Sequence, residues 1–233
     1  MARLFTSEIL SDFVSLFYPS YCLGCQNSLV KGEESVCTRC LLELPYANYH
    51  LDPENSIMKR LSGRIPVEHV LAFLKFSKNG RTQHLLHELK YKGHAEIGIM
   101  LGKVYGQKLK DSSFPISFDG ILPVPLHSSR LRKRGYNQSS KFAEGLSEIW
   151  NVPVLDRIVV RKIKTETQTK KTKLRRWENV NDVFDVIDDS NLIGKHILIT
   201  DDVITTGATV EALANTILKK VDVKISIASI AVA

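Results

Sequence analysis

Residues 197–209 carry the sequence Ile-Leu-Ile-Thr-Asp-Asp-Val-Ile-Thr-Thr-Gly-Ala-Thr. The stretch begins with apolar residues rich in β-branched side chains, which predicts a buried strand of a parallel sheet. Residues 210–218 show the apolar spacing of a helix. A strand, a turn and a helix in this order direct backbone N–H groups and a helix N-terminus toward an anion.

Two kinds of polar group occupy this turn. Asp201 and Asp202 come at the carboxyl end of the predicted strand, and residues 205–209 contribute three threonine hydroxyls. Gly207 allows the backbone to approach a ligand closely. An ordinary N-capped helix is the alternative, but a cap needs only one such residue. A phosphorylated sugar would satisfy both groups, with its phosphate at the turn and its hydroxyls at the acids.

The same stretch resembles the 13-residue phosphoribosyl pyrophosphate (PRPP) motif of type I phosphoribosyltransferases. Both have four apolar positions, two acids, a short apolar link and then Thr-Gly-small-Thr. In that family the acids hold the ribose 2′ and 3′ hydroxyls and the loop holds the 5′-phosphate. The resemblance implies that Asp201 and Asp202 are the acids of the catalytic site. It assigns PRPP binding to the loop residues Thr205, Thr206, Gly207, Ala208 and Thr209.

Positive charge is concentrated in two segments of a chain whose formal net charge is +7. Residues 126–142 hold five Lys or Arg and no acid, and residues 161–178 hold eight against two acids. These segments predict an anionic partner, either pyrophosphate, nucleic acid or both. In type I phosphoribosyltransferases a flexible loop at the position of residues 161–178 closes over pyrophosphate. We therefore expect PRPP contacts from Arg134, Lys170, Lys171, Lys173, Arg175 and Arg176.

The four cysteines form two Cys-x-x-Cys pairs, at Cys22 and Cys25 and at Cys37 and Cys40. Such pairs let four thiolates surround one metal ion, and this ligand set suits a structural Zn²⁺ with no open position. Two disulfides are an alternative, although these bonds are rare in a reducing cytosol. An iron–sulfur cluster or a rubredoxin-like iron is another alternative. In so small a module the metal would supply folding energy that a core cannot.

The length of 233 residues suits one domain of ordinary size and a small second one. A polar stretch at residues 48–56 predicts the boundary. We expect an N-terminal helix with a zinc-ribbon-like module at residues 1–50 and a phosphoribosyltransferase-like domain at residues 51–233. No apolar run reaches 18 residues and residues 1–18 lack the features of a secretion signal, so we expect no membrane insertion.

Strands and helices alternate along the second of these domains, which predicts an α/β fold with a parallel sheet flanked by helices. Residues 127–136 are expected to form a basic loop at a strand end, with Asn137 capping the next helix. Besides the strand and helix of the opening stretch, we predict strands at 69–75, 118–122, 153–160, 183–187 and 223–231, and helices at 81–91, 95–110 and 137–150.

The order of motifs over nearly the whole chain resembles that of the ComF family of phosphoribosyltransferase-like competence proteins. The motifs are the four-cysteine module, LKYKG at 89–93, PVPL at 123–126, RLRKRGYNQ at 130–138 and the stretch at 197–209. The resemblance implies a bacterial cytoplasmic protein linked to DNA uptake in natural transformation. It also implies PRPP and single-stranded DNA as ligands and competence proteins as partners.

Two functions follow from these expectations. An enzyme would transfer ribose 5-phosphate from PRPP to an acceptor and release pyrophosphate, with Mg²⁺ neutralising the leaving group. No residue is an obvious base for activating an acceptor. A binding protein on the same scaffold would instead sense phosphoribosyl ligands or hold single-stranded DNA. Strand binding needs aromatic stacking, and few aromatic residues, Tyr136 and Trp177 among them, lie within the basic segments.

Overall fold

Four parallel strands form the central sheet of the computed structural model, which describes residues 17–115, 117–162 and 183–233. They are β1 (Val70–Lys75), β2 (Gly120–Pro123), β5 (His196–Ile204) and β6 (Lys224–Val232). Two short strands, β3 (Val159–Arg161) and β4 (Phe184–Val186), pair with each other in antiparallel orientation. The spatial order of the main sheet is β1, β6, β5, β2, so the strand with the two acids has a neighbour on each side.

Helices cover both faces of this sheet. Those described are α1 (Thr38–Leu42), α2 (Ser56–Leu61), α3 (Arg81–Tyr91), α4 (Glu96–Asp111), α5 (Ser128–Arg134), α6 (Gln138–Trp150) and α7 (Ala208–Leu218). A 3₁₀ turn at Tyr49–Leu51 precedes α2. The predicted α/β class, with a parallel sheet flanked by helices, is confirmed.

Alternate residues of β5 enter two separate hydrophobic cores. Leu198 belongs to the core formed with α3, α4 and α6, whereas Ile199 belongs to the core formed with α2 and α7. Both side chains are fully buried. Burial of each removes enough apolar surface from water to contribute about 2 kcal/mol. The strand is therefore fixed from both faces, and the acids at its end have a rigid support.

Glycines bring α4 and α6 into close contact on one face of the sheet. A Cβ atom on Gly145 would lie 2.1 Å from the carbonyl oxygen of Ile99, and one on Gly102 would lie 2.3 Å from that of Phe142. Neither position can hold a larger residue unless the backbone moves. The two helices consequently pack backbone to backbone, and this contact sets the position of the N-terminus of α6.

The prediction of a strand at residues 153–160 is wrong for most of its length. Ile121 donates its N–H to the Pro153 carbonyl oxygen and accepts from Leu155 N–H, so the chain pairs briefly with β2. Residues 156–158 then turn away, and strand structure resumes only at Val159. Proline has no N–H and cannot continue such a ladder, which limits the pairing to a single bridge at Val154.

The chain after the cysteine pairs extends the sheet beyond its edge strand. Ala47 N–H donates to the Phe73 carbonyl oxygen at 2.9 Å, and Lys75 N–H donates to that of Pro45 at 2.7 Å. The edge of β1 is thereby covered by residues from the proposed N-terminal module. The division at residue 50 stays a prediction, and residues 1–16 lie outside the described part of the chain. Among the described helices, none has the length and apolarity to cross a membrane.

Candidate functional site

The acids lie where β5 extends beyond one of its two neighbours. The last register pair of β2 and β5 joins Pro123 to Thr200, whereas β6 continues beside β5 as far as Ile204. The edge of β5 that faces β2 is therefore open from Asp201 onward. Open α/β sheets bind their ligands at this carboxyl edge of the strands.

The turn after β5 forms a small concavity lined by Asp201 and residues 203–210. The side chains of Thr205 and Thr206 are exposed to it, and α7 begins immediately after Gly207. Gly207 has a φ of +83°, and a Cβ there would lie 2.9 Å from Leu61 Cδ2 of α2. This position therefore requires glycine for its backbone conformation and for space. Hydroxyls and the N-terminal N–H groups of α7 meet at one point, where a phosphate group fits.

Asp201 is held by hydrogen bonds on its carboxylate. Its Oδ1 accepts from the N–H of Asp202 at 2.8 Å and from Ser139 Oγ at 3.2 Å. Burial, followed by the negative charge of Asp202, raises the pKa of Asp201 to about 7, although these hydrogen bonds and Lys90 act in the opposite direction. A carboxyl group with this pKa exists in both protonation states near neutral pH.

Lys90, in the last turn of α3, forms an ion pair with the second acid. Its Nζ lies 2.9 Å from Asp202 Oδ2, and both side chains are mostly buried. Lys90 belongs to the LKYKG motif, but no role for it follows from the sequence. No local signal could have paired it with Asp202, because the contact depends on how α3 packs against the edge of the sheet.

The connection between α5 and α6 links the motifs to one another. Tyr136 donates its hydroxyl to the Leu89 carbonyl oxygen at 2.6 Å. Asn137 donates its side-chain amide to the Val124 carbonyl oxygen at 2.9 Å, and its Oδ1 caps α6 by accepting from Ser139 N–H at 3.1 Å. Residues of the LKYKG, PVPL, RGYNQ and PRPP-like motifs therefore meet at the carboxyl edge of the sheet.

The four cysteines lie together, with all four Sγ atoms within 4.8 Å of one another. Cys25 and Cys37 have Sγ atoms 3.7 Å apart, close to the ~3.8 Å between thiolates that surround a tetrahedral zinc with Zn–S bonds of about 2.3 Å. Burial opposes ionisation of Cys22, but backbone N–H groups, including that of Cys37 at 3.2 Å, lower its pKa to about 7. The cluster is positioned to bind a metal ion, and the donor set fits the predicted structural zinc.

Comparison with known proteins shows what this chain is similar to. The phosphoribosyl transferase domain family matches residues 132–233. Competence protein F of Haemophilus influenzae is 27% identical over 211 residues, which is 87% of this chain and 86% of that protein. Competence protein ComFC of Bacillus subtilis is 27% identical over 211 residues, 82% of this chain and 81% of that one. The chain resembles the ComF family over most of its length.

Other relatives of this chain carry a different name. DNA utilization protein YhgH of Shigella flexneri is 25% identical over 222 residues, covering 88% of this chain and 93% of that protein. The match to the protein of the same name from Salmonella typhi is 30% identical over 139 residues, 58% of this chain and 60% of that protein. A purine phosphoribosyltransferase structure from Pyrococcus horikoshii, with 21% identity and a TM-score of 0.36, covers 59% of this chain and 73% of its own.

The fold brings together some of the residues predicted to bind PRPP. Asp201 and the loop residues line one concavity, whereas the Asp202 carboxylate pairs with Lys90 beside it. Arg134 instead engages residues beside it, because its Nη1 donates to Gln138 Oε1 at 2.7 Å and its guanidinium lies 5.5 Å from the Tyr91 ring centroid. The other predicted contacts lie outside the described residues, and their role stays a prediction: Lys170, Lys171, Lys173, Arg175 and Arg176.

The prediction of a loop across residues 127–136 is wrong, because α5 forms within it. His127 caps this helix by accepting from Ser129 N–H at 3.2 Å through Nδ1, and Gly135 ends it with a φ of +81°. A glycine after a basic run is the signal that could have revealed the helix end. The basic residues are therefore presented on a helix, and four of them lie within its seven positions.

Proposed function

We propose that the carboxyl edge of the sheet binds PRPP, with the ribose at the two acids and the 5′-phosphate at the turn. The observation that carries this proposal is the lining of one concavity by Asp201 and residues 203–210. Carboxylates accept hydrogen bonds from a ribose diol, and a phosphate is stabilised by threonine hydroxyls and by the positive end of α7. The phosphoribosyl transferase domain match supports the same assignment.

A transfer reaction at this site would break the bond between ribose C1 and the pyrophosphate oxygen and form a bond from C1 to the acceptor. Mg²⁺ would accompany the pyrophosphate and neutralise its charge, which favours its departure. The side chains of Asp201 and Asp202 would orient the ribose by its hydroxyls. The basic segment at residues 161–178 is expected to contact the pyrophosphate.

A panel of ligands measured by titration calorimetry tests this function. The panel consists of PRPP, ribose 5-phosphate and pyrophosphate, each with Mg²⁺. We expect PRPP to bind most tightly, because it alone engages the acids, the turn and the basic segment at once. Equal affinity for pyrophosphate and PRPP would contradict a ribose site. A coupled assay for pyrophosphate release, run over candidate acceptors, then separates an enzyme from a sensor.

We propose that the four-cysteine cluster holds one structural Zn²⁺ and that residues 1–50 form a module stabilised by it. Four thiolates leave no position open for a substrate, so the metal would contribute to folding rather than to chemistry. Metal analysis of protein purified without chelator should find about one zinc per chain. Iron in place of zinc, or four thiols that titrate freely in native metal-free protein, would contradict the proposal.

A second candidate function is the binding of single-stranded DNA in the cytoplasm during DNA uptake, together with competence proteins. It is favoured by the surface of α5, where Arg132 and Lys133 are exposed and Arg134 lies over the ring of Tyr91. Cations beside an exposed aromatic ring suit a strand that offers phosphates and bases. The names of the relatives, "Competence protein" and "DNA utilization protein", agree with such a role.

Fluorescence anisotropy with a labelled oligonucleotide tests this second function. Binding should weaken steeply as salt rises, because phosphate contacts release counterions. The variant Arg132→Gln with Lys133→Gln should flatten this salt dependence. Tyr91→Ala should weaken binding but leave the salt dependence unchanged. If both variants bound DNA with the affinity of the wild type, the α5 surface would be excluded as a DNA-binding site.

A further inference from the structure

The ion pair between Lys90 and Asp202 places a positive charge inside the acid site. The Nζ to Oδ2 distance is 2.9 Å, and the two side chains are 20% and 17% exposed. At this degree of burial the attraction is only partly screened by water and salt, unlike that of a surface pair. Lys90 therefore pairs with the Asp202 carboxylate and its positive charge also favours the ionised form of the neighbouring Asp201.

The backbone around Lys90 is anchored on two sides. Leu89 is fully buried in the core between α3, α4 and α6. Its carbonyl oxygen accepts from the hydroxyl of Tyr136, which belongs to the connection between α5 and α6. The end of α3 is thus held by the same connection that holds Ser139 against Asp201. An anchored lysine at a fixed carboxylate is a built arrangement rather than a chance surface contact.

We propose that Lys90 is a positioning residue of the ribose site, which fixes the Asp202 carboxylate through its ion pair and favours the ionised form of Asp201 that accepts hydrogen bonds from a ribose diol. This inference rests on the proposed function, because it assumes that the acids receive a ribose. It adds a residue from α3 to a site that the sequence placed wholly on β5 and its turn.

The charges around Asp201 explain why a lysine is needed there. Asp202 on β5 faces it with a negative charge, whereas Lys90 on α3 and Arg161 on β3 act on it with positive charges. Ser139 on α6 donates a hydrogen bond but carries no charge. Even with these partners, the pKa of Asp201 stands at about 7. Removing one cation should therefore raise the protonated fraction of Asp201 near neutral pH.

A titration of the ligand-free protein tests the inference without any assumption about PRPP. The carboxyl carbons of aspartate, labelled with ¹³C, would be followed by NMR in the wild type and in Lys90→Met. We expect the pKa of Asp201 to rise by about one pKa unit in the variant, as loss of one partly buried cation allows. Lys92→Met, an exposed change two positions later in the motif, should leave the pKa of Asp201 unchanged. An unchanged Asp201 titration in Lys90→Met would overturn the proposal.

Binding of ribose 5-phosphate tests the consequence for a ligand. A rise of one pKa unit from about 7 leaves roughly a tenth instead of half of Asp201 ionised at pH 7, so the affinity should fall about fivefold. At pH 9 Asp201 is ionised in the wild type and in Lys90→Met, so their affinities for ribose 5-phosphate should agree within about 1.5-fold. Lys90→Arg should restore binding at pH 7. A loss of equal size at both pH values would indicate a merely structural role and contradict the proposal. Failure of the wild type to bind would refute the proposed function, while the NMR titration would still decide the role of Lys90.

Discussion

Replacing Asp201 with Asn should stabilise the protein at alkaline pH and leave it unchanged in acid. The folded protein holds the pKa of Asp201 at about 7 against an ordinary value of 3.8. As the pH rises from 3.8 toward 7, the unfolded chain loses this proton while the folded protein keeps it, so stability falls. The difference between the two pKa values, at about 1.4 kcal/mol for each pKa unit, corresponds to a loss of at most about 4 kcal/mol in the free energy of unfolding. Because the side chain is only partly shielded from water, we expect Asp201→Asn to raise the free energy of unfolding at alkaline pH by about 2 kcal/mol.

Asparagine suits this test because it keeps the shape of the side chain. Its amide oxygen can still accept from Ser139 Oγ and from the N–H of residue 202, as the carboxylate does. Urea unfolding at pH 4 and pH 8 would give the two free energies. Asp222→Asn, which changes an exposed carboxylate in the turn before β6, is the control. Equal stability of Asp201→Asn and the wild type at pH 8, or the same gain at pH 4, would refute the reasoning.

Three further changes test the fold and the metal site. Gly145→Ala should cost about 3 kcal/mol of unfolding free energy in chemical denaturation, because its Cβ would press on a carbonyl oxygen of α4. Gly63→Ala, which meets open space, should cost less than about 1 kcal/mol, and equal losses would contradict the close helix contact. Cys37→Ser should lose the metal in elemental analysis while the sheet still unfolds cooperatively, and retained metal would exclude this ligand. Asn137→Ala should cost about 2 kcal/mol through loss of a helix cap and of the Val124 contact, and no change in melting temperature would contradict both roles.

The local parts of the site could be predicted from the sequence, because neighbouring residues form them. The acids and the turn at 201–209 occupy one strand, one turn and one helix start, and each follows from the order of apolar, acidic and small residues. The cysteine spacing similarly predicted the cluster of four Sγ atoms. Such features need little knowledge of how distant segments pack.

The parts that depend on packing could not be predicted. Lys90 reaches Asp202 only because α3 ends beside β5, and Tyr91 meets Arg134 only because α5 is a helix. The brief pairing near Pro153 also depends on the position of β2, whose length no local pattern sets. The sequence therefore predicts the acids and the turn that are proposed to bind the ligand, but neither the ion pair of Lys90 nor the contact between Tyr91 and Arg134.

Titration calorimetry with Mg²⁺ and PRPP on the variant Asp201→Asn with Asp202→Asn tests the central claim most directly. Loss of two charge-assisted hydrogen bonds should weaken binding by at least about 100-fold. The matched control, Asp188→Asn with Asp189→Asn, removes the same charge from an adjacent pair of exposed acids outside the site and should bind as the wild type does. Wild-type affinity in the Asp201 and Asp202 variant would contradict a ribose site at the end of β5.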